Sequence, residues 1–361
     1  MAYGTLSIFD TIGGRRAAAN DFIGLYDPAT LYQQLSIFLE AHNRIMNEIS
    51  GDLVETTTER FLTWGSNDET SMMDGDEMSR PEVSKGKFDP TMMGFPLRIR
   101  QVAYGVTQLF METKTIGDLE QVVTACTDAD LRDRLAAIRA TVFNPTNNLT
   151  YKDRFVDNIT LPLRSFLNAD GAYIPPDYYG NTFDPNTHTH FLGTSSFVNA
   201  DVHTLIDTVV EHYNSGTVRV NINRAQETAV RGFADFLPYW DARITPSVNQ
   251  NNALGTPLDV LNIYNRPIGI FGAAEIWVKP WVPANYLFAF NTGQQKPLKM
   301  RVRPTVGVNR GELRIAAQLS AYPLMATYME REYGIGVYNR QNGACLKTDN
   351  SVYSAPSAWT L

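Results

Sequence analysis

The segment from Gly51 to Pro96 constrains the fold more than any other, because it reads as a hairpin too long to stand alone. Short β-prone runs between Val54 and Trp64 lead into Ser66-Asn67-Asp68-Glu69-Thr70-Ser71-Met72-Met73-Asp74-Gly75-Asp76-Glu77, and the chain returns through Lys85, Lys87 and Phe95. Strand-like arms around a polar tip are the signature of a hairpin. Two strands cannot bury a face of their own, so a free hairpin is at best marginally stable. This one is expected to lie on something, and a neighbouring subunit would serve. Its acidic tip, Asp68, Glu69, Asp74, Asp76 and Glu77, is expected to pair with basic residues of that neighbour.

Around this segment the apolar spacing changes character. Residues 1–28 mix small, polar and isolated apolar positions, among them Gly13-Gly14-Arg15-Arg16-Ala17-Ala18-Ala19, and predict an extended N-terminal arm. From Pro28 to about Ile49, the positions Leu31, Leu35, Phe38, Leu39, Ile45 and Ile49 recur mostly at three- and four-residue steps and predict an amphipathic helix. After Pro96 a helical period returns in Val102, Val106, Leu109 and Phe110, then in Leu119, Val122, Val123 and Cys126, and then in Leu131, Leu135, Ile138 and Val142. Thr127-Asp128 and Asp130 offer N-cap chemistry for the last of these helices, and Pro145 ends it.

A turn-rich stretch from Asn144 to Thr189 follows. Helix-like Val202 to Tyr213, strand-like Val218 to Ile222 and a helical pattern from Ala225 to Phe236 then alternate as in an α/β-type unit. The last third is rich in β-branched and aromatic residues over Ile268 to Lys279, Tyr286 to Asn291, Lys299 to Val308 and Glu332 to Tyr338. Pro280 and Pro283 mark a bend or bulge, since proline cannot donate to a central ladder. The whole reads as α+β, and 361 residues allow two or three packed units.

The formal charge of −7 and the absence of any long basic run, the longest being Leu97-Arg98-Ile99-Arg100, weigh against a general nucleic-acid-binding surface. Two widely separated cysteines, Cys126 and Cys345, predict free, buried thiols in a reducing compartment. Neither a secretory leader nor a run of ~18 apolar residues is present in the sequence, so the chain is expected to stay in the cytosol that makes it.

For chemistry, the most metal-like feature is Thr187-His188-Thr189-His190, because alternate residues on a strand put both imidazoles on one face. Zinc needs further ligands, and His203, His212 and Asp184 are near only in sequence. The expected reading is therefore a turn stabilised by imidazole hydrogen bonds, with no metal and no cofactor. Asp74-Gly75-Asp76-Glu77 lacks the ligand spacing and flanking helices of a calcium loop, and reads as a solvated or partner-facing cluster. No nucleophile elbow, phosphate-binding loop or His-Glu-x-x-His is found in the sequence, which weighs against an enzyme. The aromatic group Trp277, Trp281, Tyr286, Phe288 and Phe290 is expected to be core or interface.

Six blocks in order resemble the major capsid proteins of tailed bacteriophages. They are Phe95-Pro96-Leu97-Arg98, Leu167-Asn168-Ala169-Asp170-Gly171, Thr187-His188-Thr189-His190-Phe191, the run from Asn223 to Arg231, Val278-Lys279-Pro280-Trp281-Val282-Pro283-Ala284-Asn285-Tyr286, and the run from Glu330 to Arg340. They span about Phe95 to Leu346. The resemblance implies the Hong Kong 97-like (HK97-like) capsid fold: an N-terminal arm over 1–28, a joining helix over 29–50, an E-loop over 51–96, a P-domain with its spine helix over 97–144, an A-domain over 145–278, and a β-rich return to the P-domain over 279–361.

The function so implied is geometric. Subunits assemble into hexamers and pentamers of an icosahedral head in the host cytoplasm and remain in the virion, enclosing double-stranded DNA without sequence-specific binding. Inter-subunit contacts are expected from Asp68, Glu69, Asp74, Asp76, Glu77, Lys85, Lys87 and Arg98. There is no room before Pro28 for the long scaffolding segment that some members carry, so a separate scaffolding protein is expected, with a portal and a decoration protein as further candidate partners and no membrane. Some members also crosslink subunits through Lys and Asn, and no matching acceptor for Lys85 or Lys87 is evident. The rival readings are an encapsulin-like cellular shell and, from another class, a metal-dependent enzyme built on His188 and His190.

Overall fold

The computed structural model describes residues 20–65, 91–213, 215–239, 265–321 and 323–356. Most of the expected arm lies outside them, and so do Asp68, Glu69, Asp74, Asp76, Glu77, Lys85 and Lys87. In chain order the elements are α1 (Pro28–Ser50), β1 (Val54–Thr57), β2 (Phe61–Trp64), β3 (Thr91–Gly94), β4 (Arg98–Thr107), α2 (Gln108–Thr113), α3 (Ile116–Val142), β5 (Leu149–Lys152), β6 (Thr160–Leu163), β7 (Phe191–Gly193), α4 (Asn199–Val210), β8 (Val218–Ile222), α5 (Glu227–Arg231), β9 (Phe236–Pro238), β10 (Arg266–Phe271), β11 (Ala274–Val278), β12 (Tyr286–Asn291), β13 (Leu298–Arg301), β14 (Arg314–Ala321), β15 (Leu324–Val337) and β16 (Ala344–Lys347). The class is α+β.

The described residues form two compact units. The first draws on the described residues within Met1–Thr58, Leu97–Ile138 and Met300–Ile335, and the second on those within Glu59–Pro96, Arg139–Lys299 and Gly336–Leu361.

In the first unit, Leu31, Leu35 and Leu39 of α1 pack with Ile116, Leu119 and Val123 of α3 and with Met329 of β15. Asp27 at the cap position and Pro28 in the first turn start α1 where the spacing predicts. One expectation fails here: Arg98–Thr107 is a strand, not a helix. Its ladder with β15 runs from Arg98↔Tyr333 to Thr107↔Leu324. Val102 and Val106 are four apart, a step that keeps one face in a strand as well as in a helix, and the ten-rung pairing decides between them. Helix begins only at Gln108, where the Thr107 hydroxyl accepts from the Phe110 amide at 3.1 Å.

The break predicted at Thr127–Asp130 is also absent, since α3 runs unbroken for 27 residues. The Thr127 hydroxyl donates back to the Thr124 carbonyl at 3.0 Å. Asp130 is taken by side chains from elsewhere, accepting from Arg331 at 2.8 and 2.7 Å and facing His42 at 2.9 Å.

The second unit is built on a seven-stranded mixed sheet ordered β7-β16-β12-β8-β11-β10-β9. Strand β8 pairs parallel with β11 and antiparallel with β12. Val202, Leu205, Ile206 and Val209 of α4 are buried with Val220, Ile222, Ile276, Leu287 and Ala289 of the sheet. An aromatic cluster holds Phe143, Phe166, Trp281, Tyr286 and Phe288, with ring centroids 5.4–6.5 Å apart. The core reading holds for Trp281, Tyr286, Phe288 and Phe290, which are buried, while Trp277 is only half-buried, under Arg219 and Lys279. Strand β2 pairs antiparallel with β3 from Phe61↔Gly94 to Trp64↔Thr91.

Two other elements are shorter than their sequence pattern. The helical pattern from Ala225 becomes a 3-10 turn and a five-residue α5, which Gly232 ends before Phe236 enters β9. The run from Lys299 to Val308 keeps strand only to Arg301, short of Pro304, whose ring restricts the residue before it.

Candidate functional site

Three of the five histidines converge in the second unit. His188 and His190 lie in the stretch entering β7, where Thr189 bridges antiparallel to Asn168, so both side chains leave one side of the backbone. The stretch is pinned along its length: the His190 amide donates to the Leu167 carbonyl at 2.8 Å, the Cys345 amide to the His190 carbonyl at 2.8 Å, and the Ala169 amide to the His188 carbonyl at 2.9 Å. Glu211 and His212 directly follow α4. The apolar face of α4, packed on the sheet, carries them to the first pair.

The Nε2 atom of His188 is 3.1 Å from that of His190 and 3.1 Å from that of His212, and the last two are 2.9 Å apart. Glu211 Oε1 lies 3.5, 3.9 and 3.8 Å from the Nε2 atoms of His188, His190 and His212. The side chains of His190 and His212 are wholly buried, that of His188 is 15% exposed and that of Glu211 38%. The Phe183 ring covers His188 and His212 at centroid distances of 4.8 and 4.4 Å. Beside Glu211 opens a groove lined by Tyr178, Tyr179, Phe183 and Val210.

Burial keeps the imidazoles neutral. It pushes His190 well below the usual histidine range, with help from the neighbouring imidazoles, pushes His212 down to about 3 and lowers His188. Burial, with Asp207 nearby, raises Glu211 to about 7. His190 Nδ1 lies 2.8 Å from the Gly343 carbonyl. Only a donor can face a carbonyl oxygen, so the proton is on Nδ1 and Nε2 presents its lone pair to the cluster.

This arrangement exceeds what the sequence predicts. His212 is not merely near in sequence, and Glu211, which no motif singles out, joins it. The other two candidates are engaged elsewhere. His203 pairs with Asp235 at 2.8 Å, and Asp184 accepts from the Asn186 amide and the Thr187 hydroxyl at 3.0 Å each. Three imidazoles and one carboxylate thus bring one potential ligand atom each to within 3.9 Å of one another, the kind of grouping that can hold a divalent cation.

Of the residues expected at subunit contacts, Arg98 alone is described. It is the first residue of β4, half-buried, opposite Tyr333 in the ladder. Both cysteines are free and buried, as predicted. No helix among the described residues is long and apolar enough to cross a membrane.

No protein-family model matches the chain, and no curated protein sequence is similar to it. Among solved structures, a protein of Mycobacterium phage Patience aligns at a TM-score of 0.64 and 21% identity, over 94% of this chain and 93% of that one. A chain of the capsid of a native GTA particle aligns at 0.47 and 13% identity, over 83% and 90%. The SrpI encapsulin of Synechococcus elongatus aligns at 0.41 and 9%, over 84% and 88%. The chain has the Hong Kong 97-type fold that its sequence blocks resemble.

Proposed function

We propose that this chain is the major capsid protein of a tailed double-stranded DNA bacteriophage, assembling into the hexamers and pentamers of an icosahedral head. The observation that carries the reading is the extent of the likeness: nearly the whole chain, not one module of it, follows the fold of a phage protein. In this reading Gly51 to Pro96 is the E-loop, rooted in the β2–β3 pair, α3 belongs to the P-domain spine, and the seven-stranded sheet with α4 lies in the A-domain. A-domains meet around five-fold and six-fold axes by heterologous contacts that close into rings. Each contact need only be weak, because many act together.

The net charge of −7 supports a container for DNA, since a strongly basic wall would grip the genome. The role is structural and the location is the virion.

The test is electron microscopy and light scattering of the purified protein, expressed with and without its genomic neighbours. Closed shells, hexamers or pentamers that need a neighbouring gene product are the expected result. Shells that form unaided around a co-purifying cellular protein would replace the phage reading with an encapsulin-like one. A stable monomer or dimer under all conditions would overturn both.

A further inference from the structure

We infer that His188, His190, His212 and Glu211 bind a zinc ion that ties the strand entering β7 to the C-terminal end of α4. This inference stands on the geometry of one subunit and does not depend on the shell reading.

Protons alone cannot satisfy the triad. A hydrogen bond needs one donor and one lone pair, and His190 offers only its lone pair, because its Nδ1 proton is given to Gly343. His188 and His212, when neutral, each place their single proton on one nitrogen or the other. Whichever they choose, at least one of the three Nε2 pairs, all 2.9–3.1 Å apart, faces lone pair to lone pair or N–H to N–H. A cation accepting all three lone pairs removes the conflict.

The spacing fits such an ion. Ligands at the ~2.0–2.1 Å of Zn–N and Zn–O bonds stand about 3.3–3.4 Å apart in a tetrahedron. The six distances here, three of 2.9–3.1 Å between nitrogens and three of 3.5–3.9 Å to the carboxylate oxygen, bracket that value. The donor set is imidazole and carboxylate without thiolate, which suits Zn²⁺ among the borderline ions. Four protein ligands close the coordination sphere, so the ion is structural and leaves no position for a reacting water.

The second shell supports the same arrangement. His190 is oriented by the Gly343 carbonyl, as metal-bound histidines are by an acceptor on the far nitrogen. The Gln341 side-chain amide sits 3.3 Å from His212 Nδ1. The Gln341 amide nitrogen also donates to the Pro175 carbonyl at 3.3 Å, so with an ion on Nε2 the His212 proton sits on Nδ1 and the amide contact to His212 gives way. The site also lies at the negative end of the α4 dipole, and the partly exposed Glu211 offers the way in.

The experiment uses the full-length protein, stripped with a chelator, dialysed and titrated with Zn²⁺, with Co²⁺ as a spectroscopic probe. One ion per chain is expected, Co²⁺ giving the intense visible bands of a tetrahedral site. Chelation should lower Tm by about 5 °C or more, and Zn²⁺ should restore it. His188→Ala and Glu211→Gln should each weaken binding more than tenfold. His203→Ala, a histidine outside the cluster, should leave stoichiometry and affinity unchanged. Should His188→Ala fail to fold, the cobalt spectrum of the unaltered chain and Glu211→Gln still decide. Substoichiometric metal with no Tm response, binding that His203→Ala removes, or octahedral Co²⁺ bands would each overturn the inference.

Discussion

Arg340 Nη2 donates to Asp170 Oδ2 at 2.8 Å, joining two side chains that are 170 positions apart in the sequence and 0% and 5% exposed. Arg340 Nε also donates to the Ser165 carbonyl at 2.8 Å, and its guanidinium lies over the Trp64 ring. Arg340, the last residue of one sequence block that resembles phage capsid proteins, thus meets Asp170 in another, Leu167 to Gly171. Burial pushes the Arg340 pKa down and Asp170 draws it back. Removing either partner strands a buried charge, so Asp170→Asn and Arg340→Met are each expected to cost about 3–5 kcal/mol. A urea midpoint within experimental error of the parent for both would show that the pair is not what holds this turn to the end of the chain.

The sequence patterns that succeed are those in which one period excludes the other. Leu35, Phe38 and Leu39, at steps of three and four, fit only a helix, and α1 is where they predict. Val218 to Ile222 is β8 residue for residue. Val102 and Val106 fit both periods, and there a long-range ladder with β15 made the choice. Strand β14 gave no signal, because several of its residues are exposed and its partner, β15, fixes it. The same holds for the histidine cluster. His188 and His190 were legible as a pair, but nothing local shows that α4 ends against them. The usable signal was a His-x-His followed about twenty residues later by Glu-His at the end of an amphipathic helix.

A second buried network makes a prediction about acid. Asp130 of α3 sits between His42 of α1 and Arg331 of β15, with Arg134 and Asp133 also on α3 nearby. Burial pushes its pKa up, but the His42 hydrogen bond and the Arg331 charge outweigh that and hold it below the usual carboxylate range. A carboxyl so lowered binds fewer protons folded than unfolded. Its stabilisation is complete above the unfolded value of about 3.9 and drains away as pH falls through the folded value. Asp130→Asn should therefore be less stable than the parent by about 3–5 kcal/mol near neutrality. The gap should narrow as pH falls from about 5 to 2, and parallel denaturation curves across that range would refute the assignment.

Glycine supplies a sharper test of packing beside the β2–β3 pair. A Cβ on Gly94 of β3 would stand 2.6 Å from the Pro162 carbonyl oxygen and 2.9 Å from Leu161 Cβ, both in β6. Neither neighbour can swing away, since β6 is paired with β5. Gly94→Ala is expected to cost about 1–3 kcal/mol. Gly105→Ala makes the same chemical change in β4, where the nearest atom is 3.9 Å away, and should stay within about 0.5 kcal/mol of the parent. In the shell reading, Gly94→Ala also displaces the base of the E-loop and should lower assembly yield, which light scattering would measure.

The acidic tip gives the last prediction, and it rests on the proposed function. Asp68, Glu69, Asp74, Asp76 and Glu77 place five acids within ten residues. If they pair with basic residues of a neighbouring subunit, each exposed pair is worth only about 0.2–1 kcal/mol. Repetition over every subunit of a shell makes the sum decisive. Such pairs are screened as the Debye length shrinks from about 10 Å at 0.1 M salt to about 3 Å at 1 M. The parent protein should then assemble less completely as salt rises over that range. The variant with all five acids changed to their amides should assemble poorly already at low salt and respond little to more. Light scattering across a salt series reads both. Equal assembly of parent and variant at every concentration would count against the proposed pairing.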